Sequence, residues 1–282
     1  MNSKLDRYAV MGNPIAHSKS PLIHSEFARQ TQQSLDYSAL LVAPGELTQA
    51  VAAFQINNGK GLNITVPFKQ EAFALAHALS PRAQRAGAVN TLVLRGTKDY
   101  YGDTTDGIGL LNDLTQNHQL NLQHKNILIL GAGGAVRGVL EPLLAQSPNQ
   151  IIIANRTIAS ATQLAADFSD MGKITGCGFA DLRDEKIDLI INGTSASLQG
   201  ELPPLNNKLI SNKTVIYDMM YGNQDTPFMA WGREQGAALC LDGLGMLVEQ
   251  AAEAFYIWRG VRPHTPPVIQ YLRKQLLSQT IS

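Results

Sequence analysis

Short apolar runs alternate with longer amphipathic ones along most of the chain. The runs RYAVMG, DYSALLV and GLNITV are rich in β-branched and aromatic residues and predict strands at 7–12, 36–42 and 61–66. Helical spacing lies between them. Leu22, Ile23, Phe27 and Ala28 put an apolar stripe on residues 21–32, and ELTQAVAAFQ and QEAFALAHAL predict helices at 46–55 and 70–79. AVNTLVLR reads as a further β-rich run, GTKDYYGDTTD as a polar loop, and residues 108–119 as a helix.

After the polar stretch TQNHQLNLQHK the alternation resumes with NILILGAGGA, then IIIAN, ITGCGF, DLIING, TVIYDMM and ALCLD. Two helical segments, 244–259 and 267–279, close the chain. Strands alternating with helices predict an α/β protein with parallel sheets covered by helices. A length of 282 residues suits about two domains. The expected division is 1–119 for one α/β domain, 120–259 for a second of the dinucleotide-binding type, and 260–282 as a helix returning towards the first.

Composition narrows the function classes. Lys+Arg and Asp+Glu balance at 23 each, so no basic excess points to nucleic acid. No apolar stretch approaches the roughly 18 residues of a membrane span, and the first residues lack the apolar segment of a signal peptide. Only Cys177 and Cys240 are present, which predicts a reducing, cytoplasmic setting and no disulfide framework. The six histidines show no metal-ligand spacing, so no metal is expected.

NILILGAGGAVRG runs from an apolar strand through a Gly-rich turn into a helix. Gly131 and Gly133 match the first two glycines of G-x-G-x-x-G, and Val136 stands at the third. Such a turn brings backbone N–H groups and a helix N-terminus up to a pyrophosphate. The next strand ends in Asn155, Arg156 and Thr157 with no carboxylate for ribose hydroxyls. A guanidinium there suits a 2′-phosphate, so NADP is favoured over NAD. Asn192, Thr194 and Gly243 stand just beyond later strands, where ligands of open parallel sheets bind.

In the first half, GLNITVPFK sets Leu62, Ile64 and Val66 on one strand face and Asn63 and Thr65 on the other, with Lys69 just beyond. Strands of a parallel sheet are ordinarily apolar on both faces, so the polar pair suggests a hydroxyl-rich ligand or a structural polar network. Ser18 and Ser20 share a side if HSKSP is extended, although Ser20 before Pro21 also fits a helix N-cap. Asn90 interrupts a β-rich run, Asp106 precedes a helix as a cap would, and Gln250 lies within the stripe of Leu247, Ala251, Ala254 and Trp258. Lys69 taken alone reads as a surface lysine.

Together SKSP, NITVPFK, GAVNT, DTTDG, GAGGA, NRT, YDMMY and EQAAEAF resemble the shikimate dehydrogenase family, in its order and over nearly the whole chain. The resemblance implies an N-terminal substrate domain, a C-terminal Rossmann domain with a cleft between them, and reversible NADPH-dependent reduction of 3-dehydroshikimate to shikimate. It implies that Ser18, Ser20 and Tyr221 bind the substrate carboxylate, that Asn63, Thr65, Asn90, Asp106 and Gln250 bind ring hydroxyls, and that Lys69 and Asp106 form the catalytic pair. Gly131, Ala132, Gly133, Gly134 and Ala135 would hold the pyrophosphate. Asn155, Arg156 and Thr157 would take the adenosine phosphate, Thr194 would join the cofactor site, and Met219 and Gly243 would hold the nicotinamide. The family often carries a second basic residue shortly after NRT, where this chain has Ser160. A homodimer is compatible with this reading. Rival readings are an NAD-using quinate/shikimate dehydrogenase, a non-catalytic NADP sensor and a folate-type methylene dehydrogenase. Lys69 with Asp106, Arg156 and the paired Ser18/Ser20 argue against them.

Overall fold

The computed structural model describes residues 5–96, 98–183, 186–194, 196 and 201–278. It forms two compact units. The first runs to Gly109 and regains Val248–Val268; the second holds Leu110–Leu247 and the chain from Ile269. The expected division after residue 119 therefore differs from the one observed. Leu110 and Leu114 pack into the core of the second unit, whereas Phe255 and Trp258 stack against His24 in the first.

The first unit contains β1 (Asp6–Gly12), α1 (Ser20–Gln30), β2 (Leu35–Leu41), α2 (Leu47–Ile56) and β3 (Gly59–Ile64). There follow α3 (Lys69–Leu75), β4 (Ala78–Leu79), α4 (Pro81–Ala86), β5 (Thr91–Arg95) and β6 (Asp99–Asp103). Its sheet has the order β2-β1-β3-β5-β6-β4. β1 is parallel to β2 and β3, and β4 is parallel to β6, but β5 runs antiparallel to both neighbours.

Two expectations for this unit are corrected. GTKDYYGDTTD is not all loop, because Tyr100 is buried in the core and Leu94 and Leu92 pair with Tyr100 and Gly102. QEAFALAHAL is not one helix either. Ala76 is extended, and His77 and Ser80 donate their N–H groups to Tyr100 and Gly102, starting β4.

The chain crosses to the second unit through α5 (Asp106–Asn112), and a single π turn, Asp113–Asn117, replaces the rest of the helix expected to 119. Here β7 (Asn126–Leu130), α6 (Gly134–Leu144), β8 (Gln150–Ala154), α7 (Ile158–Asp167) and β9 (Ile174–Cys177) are followed by β10 (Leu189–Asn192). Then come β11 (Val215–Asp218), α8 (Pro227–Glu234) and β12 (Leu239–Asp242). All pairings are parallel, in the order β12-β11-β10-β7-β8-β9. This is the doubly wound order of a dinucleotide-binding fold, with its switch point between β7 and β10.

The β-rich runs are apolar throughout because helices cover both faces. Ile127, Ile129, Ile151 and Ile153 pack beneath Val139, Leu140 and Leu143, whereas Leu128, Leu130, Ile152 and Ile190 pack with Phe228. Two last helices, α9 (Leu244–Arg259) and α10 (Pro266–Ser278), each pass from one unit to the other. Gln279, the expected end of the last helix, lies outside the described residues. No described helix is long and apolar enough to cross a membrane.

Candidate active site

The strand that carries Asn63 builds the centre of the first unit's polar cluster. Its alternation is as the sequence reading expects up to Ile64. Leu62 and Ile64 face the core, and Asn63 turns to the opposite face. Val66 departs from that pattern. The strand has already ended, the Val66–Pro67 bond is cis, and the Val66 side chain is 62% exposed. The turn that follows puts Lys69 at the first position of α3.

Lys69 Nζ donates to Asp106 Oδ2 at 2.5 Å, and the pair is only partly exposed, at 30% and 17%. Asp106 lies in the first turn of α5, yet its carboxylate faces neighbours rather than capping that helix. Its Oδ1 accepts from Asn90 Nδ2 at 2.9 Å. Asn90 is the hub. Its backbone N–H donates to Asp103 and its carbonyl accepts from Ile64, so three segments fix it. Its Oδ1 accepts from the Thr105 N–H at 2.9 Å and the Thr91 hydroxyl at 2.8 Å. Gln250 Oε1 lies 3.4 Å from Asn90 Nδ2 and accepts from the Thr105 hydroxyl at 3.3 Å. The amide in the helical stripe thus finds its partners in this cluster.

Asn63 is more fully engaged within the protein. Its Nδ2 approaches the Asn90 carbonyl and the Thr91 hydroxyl, each at 3.3 Å, and its Oδ1 accepts from the Tyr37 hydroxyl at 2.6 Å. Thr65 holds the turn through its backbone, receiving the Phe68 N–H at its carbonyl. The N-cap reading of Ser20 is corrected. The cap position is Lys19, no side chain caps the helix, and Pro21 occupies its start. Ser20 is instead buried, and its N–H donates to Ser18 Oγ at 3.3 Å.

In the second unit the expected residues gather where the strands end. Gly131 follows β7, Asn155 follows β8, Thr194 lies two residues past β10, Met219 follows β11 and Gly243 follows β12. Gly131 has φ +100°, and an added Cβ would come within 3.2 Å of Thr194 Cγ2. Gly133 and Gly134, at the start of α6, would each direct a Cβ into open space. Val136 replaces the third glycine without loss of packing, because Gly193 on the neighbouring strand end leaves room for it. A Cβ on Gly193 would lie 2.5 Å from Val136 Cγ2.

Asn155 Nδ2 donates to the Thr157 carbonyl, and exposed Arg156 stands beside the α7 N-terminus, whose cap position has no side-chain hydrogen bond. No carboxylate follows β8 in Asn155–Thr157, so a 2′-phosphate meets positive charge there. An open glycine cradle, a helix N-terminus and an exposed guanidinium all fit a phosphorylated dinucleotide. Tyr221 also belongs to this unit. Burial raises its pKa, with Asp242 adding to the effect, so it is a neutral donor.

Of the expected residues, Asn63, Asn90, Lys69, Asp106 and Gln250 form one hydrogen-bonded cluster. Sequence reasoning missed Tyr37, Thr91 and Thr105, which complete it, and Asp218, which does comparable work in the second unit. The polar run DTTDG signals Thr105. Nothing in DYSALLV distinguishes Tyr37 from an ordinary buried aromatic.

The chain is similar to known proteins over nearly all of its length. The chain matches the family models for the shikimate dehydrogenase substrate binding domain at residues 10–92, shikimate/quinate 5-dehydrogenase at 113–202, and the shikimate 5′-dehydrogenase C-terminal domain at 243–273. It is 56% identical to the shikimate dehydrogenase (NADP(+)) of Nitrosococcus oceani, covering 96% of each chain. The crystal structure of an Ael1 enzyme from Pseudomonas putida matches with a TM-score of 0.90 and 45% identity, covering 95% of this chain and 98% of that one. Shikimate 5-dehydrogenase from Thermus thermophilus, in complex with NADP(H) and shikimate, matches with a TM-score of 0.84 and 29% identity over 96% and 100% of the two chains. With identity of this extent running through both units, the chain belongs to the shikimate dehydrogenase family.

Proposed function

We propose that this chain catalyses the reversible, NADPH-dependent reduction of 3-dehydroshikimate to shikimate, a step of chorismate and aromatic amino acid biosynthesis. The observation that carries the reading is the Lys69–Asp106 contact beside a cluster of uncharged hydrogen-bonding side chains. Asn90, Thr105 and Gln250 suit a hydroxylated ring, because such groups match hydroxyls without introducing a buried charge. Thr65, Ser18 and Ser20 add hydroxyl groups, and the serines would bind the substrate carboxylate. Asn63, whose amide is engaged with Tyr37 and Asn90, would support the ring site chiefly by orienting its neighbours.

NADPH, when bound, supplies the hydride that reduces the ketone carbon. Gly131–Ala135 would hold its pyrophosphate, Asn155, Arg156 and Thr157 its adenosine phosphate end, and Thr194, Met219 and Gly243 its nicotinamide end. As the carbonyl carbon is reduced, negative charge develops on its oxygen. The Lys69 ammonium stabilises that charge and donates a proton to it. Asp106 holds Lys69 in place and keeps an acceptor beside the substrate hydroxyl. Since Asp106 is itself held by Asn90, the proton-transfer pair and the ring ligands form one rigid assembly.

The test is absorbance of reduced nicotinamide on adding shikimate and NADP, with quinate and NAD as controls, for the protein and its Lys69→Ala variant. Fast NADP reduction with shikimate, abolished in the variant while NADP binding persists, is expected. Tight NADP binding without turnover on shikimate would overturn the reading. Cys177 and Cys240 are not joined in a disulfide, which suits a reducing cytoplasm as the site of the reaction. A homodimer is the assembly we propose, and sedimentation velocity reads it.

A further inference from the structure

Asp218 is a fully buried carboxylate to which the proposed reaction assigns no role. It ends β11, level with Asn192 of β10 on one side and Asp242 of β12 on the other. Its Oδ1 accepts from Asn192 Nδ2 at 3.2 Å and from the Met220 N–H at 3.1 Å. Its Oδ2 accepts from the Thr226 hydroxyl at 2.6 Å. Both oxygens thus accept hydrogen bonds, from donors that include Asn192, Met220 and Thr226.

Two of these donors, Asn192 and Met220, lead to residues proposed to hold the cofactor. Asn192 uses its own Oδ1 to accept from the Thr194 N–H at 3.1 Å and the Thr194 hydroxyl at 2.7 Å. Thr194 in turn borders the Gly-rich turn, since its Cγ2 lies 3.2 Å from the place of a Cβ on Gly131. The Met219 N–H donates to the Asn192 carbonyl at 2.9 Å. Met220, held by Asp218 through its N–H, accepts from the Gly243 N–H through its carbonyl at 3.0 Å. Gly243 packs so closely here that a Cβ would lie 2.2 Å from the Met219 carbonyl oxygen. One carboxylate therefore links the ends of β10, β11 and β12, which bear Thr194, Met219 and Gly243.

We propose that Asp218 is a positioning residue for the nicotinamide end of the cofactor, acting through Asn192 and Met220 on Thr194, Met219 and Gly243. This rests on the reading that NADP binds at these strand ends. The near-isosteric Asp218→Leu variant removes both acceptor oxygens with little change in shape and so separates positioning from bulk packing. A leucine side chain has no acceptor, so the donors that meet Asp218 are left facing carbon. Thr226 can turn its hydroxyl elsewhere, but the Asn192 amide and the Met220 N–H both lose the acceptor they share at Oδ1. Buried donors left unpaired weaken what they hold in place, and a roughly tenfold change in the binding constant, about 1.4 kcal/mol, follows.

The experiment is calorimetric titration of NADP into the full chain, with kinetics run alongside. Wild type must bind NADP, and failure there would overturn the cofactor-site reading itself. Given that binding, Asp218→Leu is expected to raise Kd and KM for NADP about tenfold while KM for shikimate stays within twofold. The milder Thr226→Val variant, which removes the donor at Oδ2 and leaves those at Oδ1, is expected to raise Kd for NADP about threefold. It keeps the test open should the first variant fail to fold. A lowered melting temperature with unchanged NADP affinity in the folded variants would overturn the proposal, because packing alone would then account for Asp218.

Discussion

Asp106 receives a donor at each of its oxygens, Lys69 Nζ at 2.5 Å on Oδ2 and Asn90 Nδ2 at 2.9 Å on Oδ1. The two contacts determine what a conservative change does. An asparagine at 106 must present its NH2 to Lys69 or to Asn90, both of which are donors. The first choice turns Lys69 away from the developing alkoxide, and the second breaks the bond to Asn90 that holds residue 106 against Lys69. Asp106→Asn should therefore lower kcat by about a hundredfold, in the range of general acid–base contributions. KM for NADP should stay within twofold. Steady-state kinetics in both directions would measure this, and a variant retaining more than a third of wild-type kcat would refute the role assigned to Asp106.

The contrast between Asn90 and Tyr37 shows how far the sequence could be read. Asn90 is legible because an amide in an apolar run has few reasons to be there, and GAVNT lies beside other polar signals. Tyr37 is not, because what makes it functional is a hydrogen bond to Asn63, 26 positions away. The Gly-rich turn and Arg156 were readable for the same reason as Asn90, since strand, turn and helix start are contiguous. Asp218 was hidden inside YDMMY, where a carboxylate at a strand end resembles any turn residue until Asn192 and Thr226 are seen to donate to it. Ser20 misled in the opposite sense. The Ser-Pro pair is a good local cap signal, but α1 starts at Ser20, and burial of this residue beside Ser18 overrides it.

Arg156 is exposed and faces no nearby carboxylate within Asn155–Thr157, so its charge is available to a ligand. Because Ser160 supplies no second cation, Arg156→Ala should remove most discrimination for the 2′-phosphate. Charge-assisted hydrogen bonds contribute about 1.5–3 kcal/mol, so KM for NADP should rise by roughly tenfold or more. KM for NAD should hardly move. Parallel kinetics with the two cofactors check this; equal increases for both would show that Arg156 supports the loop rather than reading the phosphate.

Two glycines of the second unit should respond oppositely to alanine. A Cβ on Gly245 would lie 1.9 Å from Asp113 Oδ1. That carboxylate is 1% exposed and is held by the Tyr217 hydroxyl at 2.7 Å and Asn117 Nδ2 at 2.9 Å, so it has little freedom to retreat. Gly245→Ala should destabilise the chain by about 1–3 kcal/mol. Gly138, within α6, has nothing within 4 Å of an added Cβ, and alanine there should stabilise by about 0.5–1 kcal/mol. Urea midpoints of the two variants would move in opposite directions. A shared direction would contradict the packing described for Asp113.

His24 gives the first unit a pH-dependent stability. Its ring stacks on Tyr37 with centroids 4.1 Å apart and planes 6° from parallel, and Phe27, Phe255 and Trp258 enclose it. Only 1% is exposed, and neither ring nitrogen has a hydrogen-bond partner. Burial lowers its pKa to about 3, and nearby Asn63 offsets only part of that. The unfolded chain protonates His24 near pH 6.5, whereas the folded chain resists down to about 3. Between those values the unfolded state binds more protons, so stability rises with pH, by up to about 1.4 kcal/mol per unit. The neutral-His contribution is therefore fully present above about pH 7 and is lost as the pH falls towards 3. Lowering the pH from 7.5 to 5 should cost wild type about 2 kcal/mol more than a His24→Gln variant, which has no proton to gain. The comparison concerns the difference in pH slope, so any fixed cost of replacing the ring cancels. Urea unfolding of both proteins at the two pH values would measure it, and parallel slopes would mean that His24 is charged, or solvated, in the folded protein.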